Sequence, residues 1–184
     1  MSGKSLKDLT LKELWELFPI HLEPHNPVWR DWACEEIKLV GALLAEYHPT
    51  IRHIGSTAIP DIYAKPIIDI LVVTDSELSW KEIRKQMESA GYICMSEGAG
   101  RMSFNKGYTS AGYAERVYHL HFHLSGDEDE VIFRDYLLMH ADVAKEYEAL
   151  KLSLLPQFIN DRDGYTEAKT EFIKTIMNIA KSIK

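Results

Sequence analysis

The stretch PIIDILVVT, residues 66–74, constrains the fold more than any other part of this sequence. A run this apolar, rich in isoleucine and valine, predicts a strand buried on both faces, and so an inner strand of a sheet with cover on both sides. One carboxylate, Asp69, interrupts it. An unpaired carboxylate in such a setting costs several kcal/mol or gives up its charge, so Asp69 needs a strong partner such as a metal or a cation.

The surrounding sequence supplies the cover. Thr10 and Glu13 form a capping box ahead of Leu11, Leu14, Trp15 and Phe18, a short amphipathic helix that Pro19 stops. Asn26 and Pro27 start a longer helix that is predicted to run to about His48, with Trp32, Ala33, Ile37, Val40 and Leu44 inward. Residues 51–54 predict a short strand, and 80–90 a helix ended by Gly91. Further strands are expected at 92–95, 101–105 and 116–124, with Gly98, Gly100, Gly107 and Gly112 at the turns. The last third reads as helical: 130–140, 143–155 stopped by Pro156, and 165–183 after an NDRDG loop. The expected class is α+β, a mixed sheet of four or five strands flanked by helices.

With 184 residues, 46% hydrophobic and 27% charged, the chain is expected to form one globular domain over 1–184. A net charge of −7 argues against binding duplex nucleic acid or an anionic membrane, although a local pocket can still take a small polyanion. The two cysteines, Cys34 and Cys94, have no paired spacing and are read as core residues of a protein in a reducing compartment. The opening MSGKSLKDLT lacks a signal-peptide pattern and no apolar window reaches membrane-spanning length, so the cytoplasm is the expected location.

Three stretches can carry chemistry. In Gly55-Ser56-Thr57, glycine permits close backbone approach while amides and hydroxyls can hold a phosphate; the same residues also serve as a tight turn and helix cap. Lys65 lies four residues before Asp69, on the same face if both are in one strand, and can reach a phosphate or neutralise the acid. His119, His121 and His123 alternate with apolar residues and share a face, as metal ligands or as ordinary hydrogen-bonded histidines. Neighbouring same-face positions are ~7 Å apart, so one histidine with Asp69 is the expected pairing. Arg101, Lys106 and Arg116 are expected at the solvated rim, and the pairs Tyr147/Lys151 and Tyr165/Lys169 are explained by contacts along a helix.

HIGSTAIPDIYAKPIIDILVV, followed by GY, HLH, FRDYLLMH, YEALK and YTEAKTEFI, resembles the GrpB family over essentially the whole chain. Asp61 stands where that family usually has glycine. The resemblance implies a nucleotidyltransferase-like fold, in which a Gly-Ser turn binds a triphosphate and carboxylates on neighbouring strands hold two magnesium ions. By resemblance, Gly55 and Ser56 fall on the phosphate turn and Asp69 on the first carboxylate; the second position is Leu71, and the His119 to His121 strand takes the place of the third. What this implies is a nucleotide or phosphorylated metabolite as ligand, held by Gly55, Ser56, Thr57 and Lys65. One divalent metal, Mg or Mn before Zn, would sit at Asp69, His121 and His119, with His121 alternatively a general base. Either nucleotidyl transfer to an acceptor or binding without turnover is implied, and a link to coenzyme A metabolism follows from relatives joined to a dephospho-coenzyme A kinase.

Overall fold

The apolar run becomes the second strand of one mixed sheet in the computed structural model, which describes residues 6–183. Its strands are β1 (Thr50–Ile54), β2 (Ile68–Thr74), β3 (Ile93–Gly98), β4 (Arg101–Thr109) and β5 (Gly112–Leu124), in spatial order β1-β2-β5-β4-β3. β2 runs antiparallel to β1 and parallel to β5, while β4 is antiparallel to both β5 and β3. The seven α-helices among the described residues are α1 (Leu11–Leu17), α2 (Val28–Leu43), α3 (Trp80–Ser89), α4 (Asp129–Met139), α5 (Ala141–Phe158), α6 (Arg162–Glu167) and α7 (Thr170–Ser182).

β2 separates two environments. Ile68, Ile70 and Val72 face the main core with Trp29, Ala33 and Val40 of α2 and Trp80, Ile83 and Met87 of α3. Each of the isoleucine, valine and methionine side chains contributes about 1.5–3 kcal/mol by leaving water. On the opposite face Leu71 and Val73 pack with Ile54 and Val131 of α4. Asp69, near the start of the strand, shares that second face and is partly exposed there. A separate cluster, including Ile59, Ile62, Leu137, Tyr147 and Ile176, joins α4, α5 and α7 to the segment after β1.

Several predicted boundaries move for local reasons. β2 begins at Ile68, because the Ile67 N–H closes a tight turn on the Lys65 carbonyl at 2.7 Å around Pro66. Lys65 is therefore in the entering loop, not on the strand. Gly107 lies inside β4 at a bulge, with φ 92° and the Arg116 carbonyl 2.3 Å from where a Cβ would stand. Pro156 does not stop α5, which continues to Phe158; a proline so near the end removes only one helical hydrogen bond. The predicted final helix is two, α6 and α7, and α6 starts within NDRDG, where the Asp161 side chain accepts the Gly164 N–H at 2.8 Å. Asp161→Ala is expected to lower stability by about 1 kcal/mol in urea denaturation, by removing that cap.

Cys34 is exposed rather than in the core, and Trp32 is half-buried with Arg116 5.2 Å from its ring centroid. The capping box of α1 forms as predicted. Asp61 adopts φ 61°, so the backbone keeps the left-handed conformation that suits glycine, and aspartate is among the few residues that tolerate it. Among the described residues, no helix is long and apolar enough to cross a membrane.

Candidate functional site

Strand register places Asp69 between two partners. On β1 its neighbour is Ile54, the residue before Gly55, and on β5 it stands beside His119, with Leu71 beside His121. His121 Nε2 lies 3.2 Å and His119 Nδ1 3.5 Å from the same oxygen, Asp69 Oδ1. Two histidines therefore reach the carboxylate where the spacing argument expected one. The ring centroids stay 6.4 Å apart, but both rings lean inward, and one nitrogen from each closes on Asp69. His123 continues the alternation but turns to the Asp127 carbonyl, 2.9 Å away, and is buried under the start of α4.

This geometry sets the charges. Burial alone would raise the Asp69 carboxyl, yet hydrogen bonds and charge from His119 and His121 outweigh it and hold the group well below the usual carboxylate range. Burial pushes the His119 imidazole down despite Asp69, whereas at His121 the bond to Asp69 wins and carries it up. The proton that Asp69 attracts thus resides on His121 before His119. Behind His119, the Tyr108 hydroxyl stands 2.7 Å from Nε2 and accepts from Arg162 at 3.0 Å. A tyrosine hydroxyl both donates and accepts, so either His119 tautomer is satisfied there.

The three side chains offer ligand atoms that all lie within 4.8 Å of one another, a spacing suited to one ion. A second ion lacks its ligand. Leu71, at the position where the resemblance implies another carboxylate, is fully buried against Ile54, Val73 and Val131.

Asp69, His119 and His121 open onto a cleft of about 860 Å³ whose lining also includes Lys65, Lys151, Arg162 and Lys169. None of these four cations pairs with a carboxylate among the described residues. Aromatic faces hold them: Lys65 and Lys169 lie 4.9 and 4.6 Å from the Tyr165 ring centroid, Lys151 4.9 Å from that of Tyr147, and Arg162 5.6 Å from that of Tyr108. Such contacts stabilise a cation without cancelling its charge. Lys151 also donates to Ser56 Oγ at 3.1 Å and to the Tyr63 carbonyl. Burial pushes Lys65 and Lys151 down to about 7, and the neighbouring cations, Lys169 above all, push the same way. Lys106 makes the contrast, with its ammonium 2.7 Å from the Glu36 carboxylate.

The Gly-Ser turn behaves differently from a bare phosphate loop. Gly55 has φ 71°, and a Cβ there would stand 2.5 Å from Asp69 Oδ2, so this glycine makes room for the acid. Ser56 holds Lys151, and the buried Thr57 hydroxyl is engaged by His53 Nε2 at 2.9 Å and the Ile67 carbonyl at 3.4 Å. Lys65 lines the cleft as expected, although from a loop. Arg101 and Arg116 form ion pairs with Asp127 and Glu35 outside the cleft. Sequence reading missed Lys151, Lys169, Arg162, Tyr108, Tyr147 and Tyr165 as site residues. Two repeated Tyr-Lys pairs, four residues apart, were the available signal.

The mixed five-stranded sheet flanked by helices is nucleotidyltransferase-like by superposition. The Cid1 poly(U) polymerase crystallised with MgATP superposes with a TM-score of 0.52 at 11% identity, covering 70% of this chain and 42% of that one. The likeness shows the fold alone. The sequence model of the family described as GrpB protein matches residues 19–178, and the chain belongs to that family. The crystal structure of the conserved protein GrpB from Enterococcus faecalis superposes with a TM-score of 0.76 at 29% identity, covering 87% of this chain and 96% of that one. UPF0157 protein YqkA of Bacillus subtilis is 34% identical over 95% of this chain, which spans 52% of YqkA's length. Glutamate-rich protein GrpB of Alkalihalophilus pseudofirmus is 35% identical over 85% of this chain and 93% of its own. A more distant match, 25% identical, is the dephospho-CoA kinase of Mycolicibacterium paratuberculosis, of which this chain covers 44%.

Proposed function

We propose that this protein binds a nucleotide or other phosphorylated metabolite in the cleft, together with one divalent ion held by Asp69, His119 and His121. The carrying observation is the set of four buried or half-buried basic side chains facing that triad in a chain of net charge −7, none of them in ion-pair contact with a carboxylate among the described residues. Two imidazoles and one carboxylate suit Mn or Zn better than Mg, which prefers oxygen ligands and retained water. Such an ion supplies Lewis-acid neutralisation of phosphate oxygens when bound. Lys151, Lys65 and Lys169 would take the remaining phosphate charge, with Arg162 orienting Tyr108 behind His119.

Nucleotidyl transfer to an acceptor is the activity that the fold suggests, and the dephospho-CoA kinase relative makes coenzyme A precursors one ligand set to test. Leu71 favours binding without turnover, because two-ion transfer needs a carboxylate where the strand buries a leucine. Thermal unfolding with Mn, ATP and both together tests the binding reading. A ligand at 100 times its dissociation constant stabilises the native state by about 2.7 kcal/mol. Wild-type protein is expected to respond to both; Asp69→Asn is expected to lose the Mn response and keep part of the ATP response. The absence of any shift with either ligand in the wild type would contradict the proposal.

A further inference from the structure

The cleft has a second wall that phosphate does not explain. Leu11, Leu14 and Trp15 of α1, with Phe18 just after it, also line the cleft. α1 has only seven residues, none of them buried, and Leu11 is 57% exposed. A helix this short is not stable by itself and depends on burying its apolar stripe. Here the capping box fixes its start, and Phe18 fixes its end by packing 4.8 Å from Tyr108 and 5.1 Å from Tyr113 between ring centroids. The stripe between those two anchors faces the cleft. Tyr108 also contacts His119 and Arg162, so the apolar wall and the charged floor are built on one residue.

We infer that the ligand is an organic phosphate ester with an apolar or aromatic body, its phosphates at Lys65, Lys151 and Lys169 and its body against Leu11, Leu14 and Trp15. This rests on the phosphate-binding reading and adds the class of molecule to it. Charge complementarity fixes one end of the ligand and the partly exposed apolar stripe fixes the other. The cleft volume, about 860 Å³, lies toward the upper end of the range for small-molecule sites and far exceeds what an inorganic phosphate fills.

Calorimetric titration of the full chain, with Mn present throughout, separates the two claims. The probes are tripolyphosphate against ATP, and pyrophosphate against geranyl diphosphate. At least one organic ester is expected to bind about ten- to a hundredfold tighter than its inorganic counterpart, the range that stacking on one aromatic side chain supports. Trp15→Ala is expected to erase that margin while leaving tripolyphosphate and pyrophosphate binding unchanged; Leu11→Asn, at an exposed position, should reduce it. A margin with ATP alone assigns a base to the body, and one with geranyl diphosphate alone an aliphatic chain. Organic esters that bind no tighter than the inorganic anions, or a margin that survives both substitutions, would overturn this inference and leave the phosphate reading standing. If the inorganic anions and the esters all fail to bind, both readings fall.

Discussion

Lys151→Met is expected to unfold at higher urea concentration than the wild type at pH 7, while losing at least about tenfold in affinity for tripolyphosphate. Lys151 is 2% exposed, and its ammonium has two neutral oxygens and a tyrosine face as partners instead of a carboxylate. Its native value near 7 lies below the 10.5 of an unfolded chain. Between those values the unfolded state holds more protons, so stability rises with pH across that window and the cost is fully present below 7. Each such group contributes at most about 1.4 kcal/mol per pH unit. Buried tyrosines such as Tyr165, raised above the unfolded value by burial, act in the opposite sense at higher pH, which makes pH 7 and pH 9 the points to compare. Methionine fills similar space without the charge; the two lost hydrogen bonds offset part of the gain, leaving a net stabilisation of about 1–2 kcal/mol at pH 7. The variant should also show a shallower rise in stability from pH 7 to 9. A less stable variant with the wild-type pH slope would mean that Lys151 is a structural cation and that the cleft stores no charge for a ligand.

Gly55→Ala is expected to cost about 2–4 kcal/mol of stability, the sum of a left-handed φ and an overpacked contact. The added methyl group would meet Asp69 at three atoms, Oδ2 at 2.5 Å, Cβ at 2.9 Å and Cγ at 3.0 Å. Asp69 cannot simply retreat, since His119 and His121 hold it from the β5 side. Displacing it should therefore also abolish the thermal response to Mn. Gly91→Ala is the control: φ is 88° there but nothing lies within 4 Å of the new Cβ, so only the conformational cost of about 1 kcal/mol is expected. Equal losses at both positions would show that the contact with Asp69 is not tight.

The sheet was legible because its signals are local and periodic. Ile68 to Val73 could form little else than an inner strand, and the alternation of His119, His121 and His123 with Leu120, Phe122 and Leu124 marked a second strand with one polar face. Asp69 stood out for the same reason, as the one group whose burial required a partner. The resemblance pointed to His121 and His119 as its partners, but strand spacing alone allowed only one, because inward tilt of the rings and the burial of His123 by α4 depend on tertiary packing. The lysines of the cleft were hidden by an ambiguity of pattern. Tyr147/Lys151 and Tyr165/Lys169 do make the contacts that a four-residue spacing predicts, and only the docking of α5 to α7 turns those same pairs toward Asp69. Gly55 was marked for close approach to a ligand, whereas the close neighbour in the structure is the Asp69 carboxylate.

A single ion and a phosphate group are predicted to meet between Asp69 and the lysines. Crystals grown with Mn and ATP, measured at a wavelength where Mn scatters anomalously, test this most directly. One anomalous peak within bonding distance of Asp69, His119 and His121, with phosphate density reaching Lys151, is the predicted result. Phosphate density elsewhere with no peak at the triad, or two peaks with Leu71 displaced to admit the second, would contradict it.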